Sequence, residues 1–335
     1  MSWQGETETM VRFDKAHPWV AERQSEIRFG VQVFPLPDDP NPTESVIAAG
    51  LLAEEVGLDG FFVGDHPGYH IEPWLHLAAV ATQTKRVQLG SVVNCVFHRH
   101  PAMLARMAAD LDRISDGRVM IGLGIGWNEP EFGQLGIPFE SIPERQRGLG
   151  EAVEIITAMF GDEPVSFEGE TWWTRNSIVT SPPVQRPHPP ILIAGAGNRT
   201  LRQVVEWADI SNFGGSRNTG NVRNNAEVVS KLAEIDRLCK EMGRDPQTLL
   251  KSHFTSWLML ANTSDKAQAK LNCYFPQGLS EEHRRTRIVG SPMEIVAYYQ
   301  SLADLGFRYF VIQIQDARDL ETIELLGRKL APSVS

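Results

Sequence analysis

The apolar segments of this chain alternate along its length between strand-like and helix-like patterns. Each short apolar run precedes a longer segment with helical spacing, as in 101–114, where Met103, Leu104, Met107 and Leu111 fall on one helix face. Unbroken alternation of this kind predicts parallel strands joined by right-handed helical crossovers. The predicted strands are residues 27–34, 60–64, 86–93, 118–124, 191–195, 208–213, 253–260 and 308–314. Eight such units in 335 residues indicate an α/β fold, a closed (β/α)8 TIM barrel, rather than an open doubly wound sheet.

Two connections between these units are longer than the rest. Residues 161–190, after the fourth strand, contain FEGETWW, which predicts a short hairpin, and then a proline-rich run. Residues 263–288, after the seventh strand, contain YFPQG and the charged run EEHRRTR. Both insertions are expected over the C-terminal mouth of the barrel, where barrel enzymes keep their chemistry. Residues 1–26 are expected to form a loosely ordered arm, which leaves residues 27–335 as one TIM-barrel domain.

Charge and cysteine usage exclude several classes of protein. The chain carries 42 acidic and 32 basic side chains, a formal net charge of −10, whereas nucleic acid or an anionic membrane requires a basic surface. The three cysteines, Cys95, Cys239 and Cys273, form no CxxC pair and indicate free thiols in a reducing cytosol. No apolar run approaches the roughly 20 residues that cross a bilayer, and the N-terminal residues lack a signal-peptide pattern. We therefore expect a soluble cytoplasmic protein.

Asp65 and His66 directly follow the second strand, in the sequence VGDHPGYH. Side chains at the C-terminal end of a barrel strand project into the mouth, where neighbouring carboxylate and imidazole groups suit general acid–base work. The carboxylate can orient the imidazole, a group that titrates near neutrality. The alternative is structural, with Asp65 capping the loop and His66 acting as a satisfied polar residue.

The fourth strand runs into a cluster of glycines, Gly122, Gly124 and Gly126, followed by Trp127 in GLGIGWNEPEF. Glycines at a strand end let the backbone approach a ligand that side chains would block. The indole beside them can form a wall next to a cofactor or substrate. A tight bend is the structural alternative.

The fifth strand ends in AGAGNRT, which contains Gly195, Gly197 and Asn198. These residues open a helix whose first N–H groups lack partners, so that a phosphate group can approach them. Arg199 and Arg202 add positive charge nearby. The alternative is an ordinary strand–helix turn, in which glycine and asparagine are common.

His98, Arg99 and His100 follow the third strand, with a spacing that suggests the metal site of a barrel hydrolase. Such a site needs further ligands on later strands, and Asp316 after the eighth strand is one possible ligand. No histidine follows the fifth or sixth strand, however, so we expect no metal. His98 or Arg99 is better explained as a group that faces an anion.

Taken together and in this order, these motifs resemble the bacterial-luciferase-like flavin and deazaflavin oxidoreductases over residues 27–330. The similarity rests on DH after the second strand, on LGSVVN followed by RHPAMLARMAADLDRISDGR, and on GLGIGWNEPEF. It also includes PPVQRPHPPILIAGAG and GSPMEIVAYYQSLADLGFRYFVIQI. The resemblance implies an eight-stranded barrel with insertions. The pair Asp–His after the second strand resembles the branch of the family that uses the deazaflavin coenzyme F420. The luciferases use reduced FMN and tend to have Glu at this position.

The resemblance also implies which residues hold the cofactor. In the deazaflavin branch the residues matching Asp65 and His66 lie near the reactive ring, and a non-prolyl cis peptide, here Val92–Val93, bulges toward it. The expected cofactor-binding set is Asp65, Val92, Val93, Cys95, Gly126, Trp127, Ala194, Gly195, Ala196, Gly197 and Asn198. The acidic tail of F420 needs a cationic path, for which the expected residues are Arg99, Arg199, Arg202 and Arg217.

Two positions depart from relatives in the deazaflavin branch. His70 stands where some sugar-phosphate and alcohol dehydrogenases have a catalytic Trp, and Trp127 stands where the sugar-phosphate enzymes have a Glu. The substrate of those enzymes is therefore not carried over. The family usually forms homodimers through helices beside the second and third strands, and the side chains expected there are Leu75, Leu77, Met103 and Met107.

The sequence thus predicts an oxidoreductase that passes a hydride between F420 and a small organic substrate. His66 would exchange a proton with the substrate oxygen or stabilise charge beside the ring, and Asp65 would orient His66. The first alternative is an FMN-dependent monooxygenase that activates O2 and receives reduced flavin from a separate reductase. The others are a cofactor-binding barrel without catalysis and a metal hydrolase. The loops at 66–76, 161–180 and 263–288 are expected to select the substrate.

Overall fold

The computed structural model describes residues 15–335, apart from residues 69, 217, 218 and 223. Its strands are β1 Arg28–Val33, β2 Gly60–Val63, β3 Gln88–Cys95, β4 Val119–Gly124, β5 Val165–Glu168, β6 Trp173–Ser177, β7 Ile191–Ala194, β8 Ile210–Gly214, β9 Leu250–Leu260, β10 Ile288–Gly290 and β11 Tyr309–Ile314. The barrel strands lie within or overlap the predicted segments. Those segments are continuously apolar because a parallel strand is buried on both faces, and β4 is buried at every position.

Parallel pairing closes the sheet into the predicted TIM barrel. The strand order is β1, β2, β3, β4, β7, β8, β9 and β11, and β11 pairs with β1 to complete the circle. The beginning of β9 pairs with β8, while its end pairs with the short strand β10. Apolar side chains fill the barrel interior: Phe62, Val92, Met120, Leu192, Ile210, Leu250, Phe254, Tyr309 and Val311.

Helices cover the outside of the barrel and confirm the predicted alternation. Two of them begin with capping boxes, in which Ser141 pairs with Glu144 and Ser291 pairs with Glu294. The helices are α1 Pro18–Arg23, α2 Pro42–Glu55, α3 Pro73–Ala81, α4 Pro101–Ile114, α5 Glu129–Leu135, α6 Ile142–Ala158, α7 Asn198–Trp207, α8 Asn225–Glu241, α9 Ser264–Tyr274, α10 Glu281–Thr286, α11 Pro292–Asp304 and α12 Leu320–Leu325.

The connection from β4 to β7 contains α5, α6 and the antiparallel hairpin of β5 and β6, and the hairpin is the one predicted from FEGETWW. Glu151 on α6 accepts three successive backbone N–H groups of the hairpin turn, from Glu170, Thr171 and Trp172, at 3.0, 2.9 and 2.8 Å. Hydrogen bonds to a charged acceptor are the stronger kind, so this carboxylate fixes the hairpin to the barrel wall.

The insertion after β9 contains α9, α10 and β10. The sequence analysis missed β10, because a strand of only three residues gives too short a pattern to recognise. Its parallel pairing with Leu258–Leu260 extends the sheet beyond the circle at the mouth. The insertion is therefore tied to the barrel by backbone hydrogen bonds at its C-terminal end.

A short helix at residues 18–23 corrects the expectation of a loosely ordered arm for that part of the N-terminal segment. Residues 18–23 form α1, in which Trp19 and Val20 are buried against the apolar interior of the barrel. The Trp19 ring lies 5.4 Å from that of Tyr309, the first residue of β11. Because the first residues of the strands lie opposite the mouth, α1 closes the far end of the barrel. Residues 1–14 lie outside the described part of the chain.

One of the four side chains expected at a dimer interface on α3 and α4 is not at the surface. Leu75 and Met103 are exposed over 72% and 47% of their surface, whereas Leu77 is fully buried and Met107 packs against the core. Positions two apart on a helix point to nearly opposite sides, so Leu75 and Leu77 cannot share one outer face. Leu77 is therefore wrong as an interface residue.

Candidate active site

His66 lies at the C-terminal end of β2, as predicted, and its carboxylate partner is Glu131. Nδ1 of His66 is 2.8 Å from Oε1 of Glu131, a residue of α5 that is 3% exposed. A buried carboxylate beside a histidine fixes the tautomer with the proton on Nδ1 and orients the ring. The expectation that Asp65 orients His66 is therefore wrong, because the insertion after β4 brings Glu131 to that position.

Asp65 is held instead by residues that follow β3. Its Oδ2 accepts hydrogen bonds from Nη1 of Arg99 at 2.8 Å and from the N–H of Cys95 at 3.3 Å, and Nδ1 of His98 lies 3.4 Å away. Burial alone would raise the pKa of this carboxyl, but His98 and Arg99 outweigh it and hold the pKa below its usual value. Asp65 is therefore an anion at neutral pH. Its other oxygen, Oδ1, is buried and has no hydrogen-bond partner among the described residues.

β3 bulges at Val92 and Val93, and the peptide between them is cis, as the resemblance implies. The register between β3 and β4 shifts from Ser91 to Asn94 around this bulge. Nε2 of Gln32, on β1, donates a hydrogen bond to the carbonyl of Val92. Val93 is only partly buried, so its side chain remains accessible at the inner wall of the mouth.

Two glycines of β4 make room for the bulge of β3. A Cβ atom at Gly122 would lie 2.4 Å from the carbonyl oxygen of Ser91, and one at Gly124 would lie 2.8 Å from Cγ2 of Val93. Real Cβ atoms do not approach other heavy atoms so closely. The interpretation that these two glycines admit a ligand is therefore wrong, because the space beside them is filled by the backbone of Ser91 and the side chain of Val93, both on β3.

Gly126 and Trp127 extend β4 into the mouth. Gly126 has a φ of 72°, which favours glycine, and a Cβ atom there would lie 2.7 Å from Sγ of Cys95. Burial raises the pKa of the Cys95 thiol to about 12, so the thiol stays neutral. Trp127 is 49% exposed, and its ring centre is 5.8 Å from that of His66. The indole therefore forms one wall of the mouth.

The turn from β7 into α7 leaves an accessible, glycine-lined opening. Gly195 has a φ of 131°, and Gly197 is the N-cap of the ten-residue helix α7. A Cβ atom at Gly197 would meet Oγ1 of Thr200 at 3.8 Å and nothing closer in the described structure. No described side chain caps α7, and both Gly197 and Asn198 are exposed. The first N–H groups of the helix are therefore accessible to an anion.

The four arginines expected along the path of an acidic tail have different surroundings. Arg99 donates hydrogen bonds to Glu72 at 2.5 Å and to Asp65, so its charge is balanced by these two carboxylates. The expectation that Arg99 lies on the cationic path for the tail is therefore wrong. Arg199 and Arg202 are exposed on α7. Arg217 lies outside the described residues.

The sequence analysis missed Phe34, which follows β1 and packs against the histidines of the mouth. Its ring stacks on His70 with 4.2 Å between ring centres and lies 6.0 Å from His66. Burial, and then the charge of His66, lower the pKa of His70 to about 4, so His70 is neutral at physiological pH. His70 therefore belongs to the aromatic surroundings of His66.

Trp257, near the end of β9, is a second residue that the sequence did not reveal. The register between β9 and β11 shifts here, so that Ser256 and Trp257 face the single residue Gln313. Trp257 has a φ of 66°, an unfavourable value for a bulky residue. Its ring centre is 6.4 Å from that of Phe34. Only the bulge turns this side chain toward the mouth, and strand alternation does not predict a bulge.

The expected ligands of a metal hydrolase do not come together in the described residues. His98 contacts Asp65, while Asp316 is held by Arg318 at 2.7 Å. A group that could hold a metal, formed by His17, His188 and Asp209, lies at the closed end of the barrel. Within it, His17 accepts the N–H of Trp19 through Nδ1 and contacts the carbonyl of His188 through Nε2 at 2.6 Å. Both ring nitrogens of His17 are therefore already used.

Comparison with known proteins identifies the family. Residues 27–297 match the family model of the luciferase-like monooxygenases, so the chain belongs to that family and is an oxidoreductase. A relative from Microbacterium testaceum, named F420-dependent glucose-6-phosphate dehydrogenase, is 27% identical over 340 residues. That alignment covers 91% of this chain and 97% of the relative.

Solved structures share the same fold. A coenzyme F420-dependent tetrahydromethanopterin reductase from Methanopyrus kandleri superposes with a TM-score of 0.77 at 22% identity, covering 92% of this chain and 100% of that one. A monooxygenase from Streptomyces bottropensis gives a TM-score of 0.74 at 24% identity and covers 91% and 99%. In the described part of the chain, every helix is too short or too polar to span a membrane.

Proposed function

We propose that the protein is an oxidoreductase that passes a hydride between coenzyme F420 and a small organic substrate. The hydrogen bond between His66 and the buried Glu131, at the mouth of the barrel, carries this proposal. A histidine held in this way suits oxidation of an alcohol or reduction of a carbonyl, in which a proton moves to or from oxygen as the hydride moves at carbon. The curated relatives named F420-dependent glucose-6-phosphate dehydrogenase support the choice of cofactor.

The residues at the mouth fit a flavin-like cofactor whose side chain carries a phosphate. The accessible N terminus of α7, behind Gly195 and Gly197, would hold the phosphate. Val93 would support the ring, and Oδ1 of Asp65 offers a buried acceptor with no partner among the described residues. F420, when bound, supplies or takes up the hydride. The other residues assigned to the cofactor are Val92, Cys95, Gly126, Trp127, Ala194, Ala196 and Asn198.

His66 is the catalytic acid or base in this proposal. With its proton on Nδ1 directed to Glu131, the lone pair of Nε2 can accept a proton from a substrate hydroxyl, and the reverse step returns that proton. Glu131 acts as the positioning residue. Asp65, an anion fixed by Arg99, contributes negative charge and a hydrogen-bond acceptor rather than proton transfer.

Titration of the purified protein with F420 and with FMN, followed by fluorescence, tests the proposal. We expect F420 to bind, and His66→Ala to retain that affinity while slowing hydride transfer by about 10²- to 10⁴-fold, the range for a lost acid–base group. His283→Ala, at an exposed position on α10, is the control and should change neither quantity. Tight binding of FMN without binding of F420 would instead support the FMN-dependent monooxygenase, fed by a separate reductase.

We also propose that the enzyme is a cytoplasmic homodimer. Exposed Leu75 and Met103 on adjacent helices support the dimer, and the free thiol of exposed Cys273 fits a reducing compartment. Light scattering should give twice the chain mass of 37.4 kDa, and a mass near the single-chain value would contradict the dimer.

A further inference from the structure

One side of the mouth is lined by rings from four different strand ends, which we call the aromatic rim. Consecutive rings lie within 4.2 to 6.4 Å of a neighbour, from the indole beside β4 across to the indole near the end of β9. Such distances are those of mutually packed aromatic groups. The members of the aromatic rim are Phe34, His66, His70, Trp127 and Trp257.

Arg287 extends the aromatic rim with a positive charge. Its guanidinium lies 5.3 Å from the ring centre of Trp257 and 4.6 Å from that of Phe275. Nη1 donates to the carbonyl of His283 at 3.1 Å, whereas Nε is buried and has no hydrogen-bond partner among the described residues. Rings therefore hold this cation by cation–π attraction, and it forms no ion pair with a carboxylate in the described part of the chain.

The surroundings of Arg287 differ from those of the other arginines near the mouth. Arg99 is paired with Asp65 and Glu72, and Arg318 is paired with Asp38 and Asp316. A guanidinium with a buried, unsatisfied N–H and no paired acid attracts an anion, because the anion satisfies both its charge and its hydrogen-bonding capacity. The structure thus places a binding point for an anionic group at one end of a row of rings.

The backbone at Trp257 supports a role in binding. A bulky residue with a φ of 66° is strained, and such strain persists where the surrounding structure requires a particular side-chain direction. Here the β-bulge turns the indole toward Phe34 on one side and Arg287 on the other. The side chain therefore joins the rings around His66 to the cation.

We propose that the substrate is a flat aromatic or conjugated molecule that carries a carboxylate, with its ring against the aromatic rim and its carboxylate at Arg287. This rests on the proposed function, in which His66 exchanges the substrate proton. Flat π-systems match these rings in shape and in electrostatics. A hexose would instead require partners for several hydroxyl groups, and the rings of Phe34, Trp127 and Trp257 offer only two indole N–H donors.

Calorimetric titrations with three probes test this inference: 2-naphthoate, the uncharged 2-naphthamide, and glucose 6-phosphate. Each titration is done on the F420-saturated enzyme and on the enzyme without cofactor. We expect 2-naphthoate to bind at least about tenfold more tightly than 2-naphthamide, and glucose 6-phosphate to bind most weakly. Binding of glucose 6-phosphate as tight as that of 2-naphthoate would overturn the inference.

Substitutions distinguish the contribution of the Arg287 charge to binding from that of the aromatic rings. Arg287→Gln should weaken the binding of 2-naphthoate by about tenfold and leave the binding of 2-naphthamide unchanged. Arg285→Gln, an exposed control on α10, should change neither affinity. Trp257→Leu, which keeps a side chain at the same backbone position, should weaken both naphthalene probes. Arg287→Lys guards against misfolding, because it keeps the charge and should retain part of the preference for 2-naphthoate.

Two results keep the inference and the proposed function apart. If 2-naphthoate binds in an Arg287-dependent way but F420 does not bind, the cofactor assignment fails and the substrate class stands. If F420 binds but Arg287→Gln and Trp257→Leu leave both naphthalene affinities unchanged, the substrate class is wrong and the cofactor assignment stands.

Discussion

At the scale of single residues, the mouth places two buried carboxylates in different electrostatic surroundings. Asp65 faces Arg99, a group that stays charged at any relevant pH, and so it is fixed as an anion. Glu131 faces His66, an imidazole whose ring nitrogens can donate or accept a proton. In the proposed function, proton transfer is therefore assigned to His66 with Glu131 and not to Asp65.

Glu131→Gln should slow hydride transfer by about 10²-fold without weakening cofactor binding. Glutamine keeps the size of the side chain but removes the negative charge that holds the Nδ1 proton of His66 in place. Stopped-flow absorbance of F420 measures the rate, and Glu129→Gln, at an exposed position on the same helix, is the control. A transfer rate equal to that of the unmodified enzyme would remove Glu131 from the mechanism.

His253 should make the fold sensitive to acid. Burial lowers the pKa of His253 to about 3, below the ordinary value of 6.5, so the unfolded chain binds this proton more readily than the folded one. Stability is therefore complete above about pH 6.5 and falls as the pH drops toward 3. His253→Phe should reduce the slope of unfolding free energy against pH by about 1 kcal/mol per unit between pH 6 and 4.

Urea unfolding at several pH values measures that slope, with His283→Phe as an exposed control. An unchanged slope in His253→Phe would show that other groups cause the loss of stability in acid.

The sequence could place some of these residues and not others. Asp65 and His66 were predictable at the mouth because they directly follow an apolar strand, and strand ends in a barrel converge. The position of Glu131 beside His66 was not predictable, because this contact depends on how α5 packs over β2, which no local pattern encodes. The position of Trp257 was not predictable either, because a bulge reverses the side-chain direction that strand alternation gives.

At the scale of elements, β3 and β4 must be understood as a pair. The glycines of β4 suggested space for a ligand, yet Gly122 and Gly124 are required by the bulge of β3 beside them. Element bounds followed from apolar runs, since buried parallel strands differ sharply from their polar turns. What each glycine accommodates depends on the neighbouring strand, and that information lies elsewhere in the chain.

The start of α7 gives a prediction about cofactor affinity. Gly197→Val should weaken F420 binding by at least about tenfold, because the added side chain occupies the open space before the helix N terminus. Gly133→Val on α5, where an added Cβ meets nothing within 4 Å, is the matched control and should bind F420 normally. Normal affinity in a folded Gly197→Val protein would place the phosphate elsewhere.

At the scale of the whole molecule, the barrel has one closed end and one open end. The alternation of strands and helices was enough to predict the barrel, because few topologies satisfy eight parallel units. The closure by α1 was not predictable, because six residues with two buried apolar side chains give no helical period. This closure makes Trp19 part of the core rather than of an arm.

Trp19→Ala should lower the unfolding free energy by about 3–5 kcal/mol, the usual range for removing a large buried aromatic side chain. Trp173→Ala, at a position that is 68% exposed on the hairpin, should change it by less than about 1 kcal/mol. Guanidinium unfolding measures both values. Equal stability of the two variants would show that α1 does not contribute to the core in solution.

The backbone conformation of Trp257 affects how the substrate range of the enzyme could be enlarged. Most substitutions that enlarge an active site reduce stability, and this trade-off limits engineered variants. At Trp257 the left-handed conformation already disfavours any side chain by roughly 1–2 kcal/mol, whereas glycine adopts it without strain. Replacing this indole by glycine thus enlarges the pocket and relieves the backbone at the same time. Directed evolution toward bulkier molecules has its least destabilising starting point at this position.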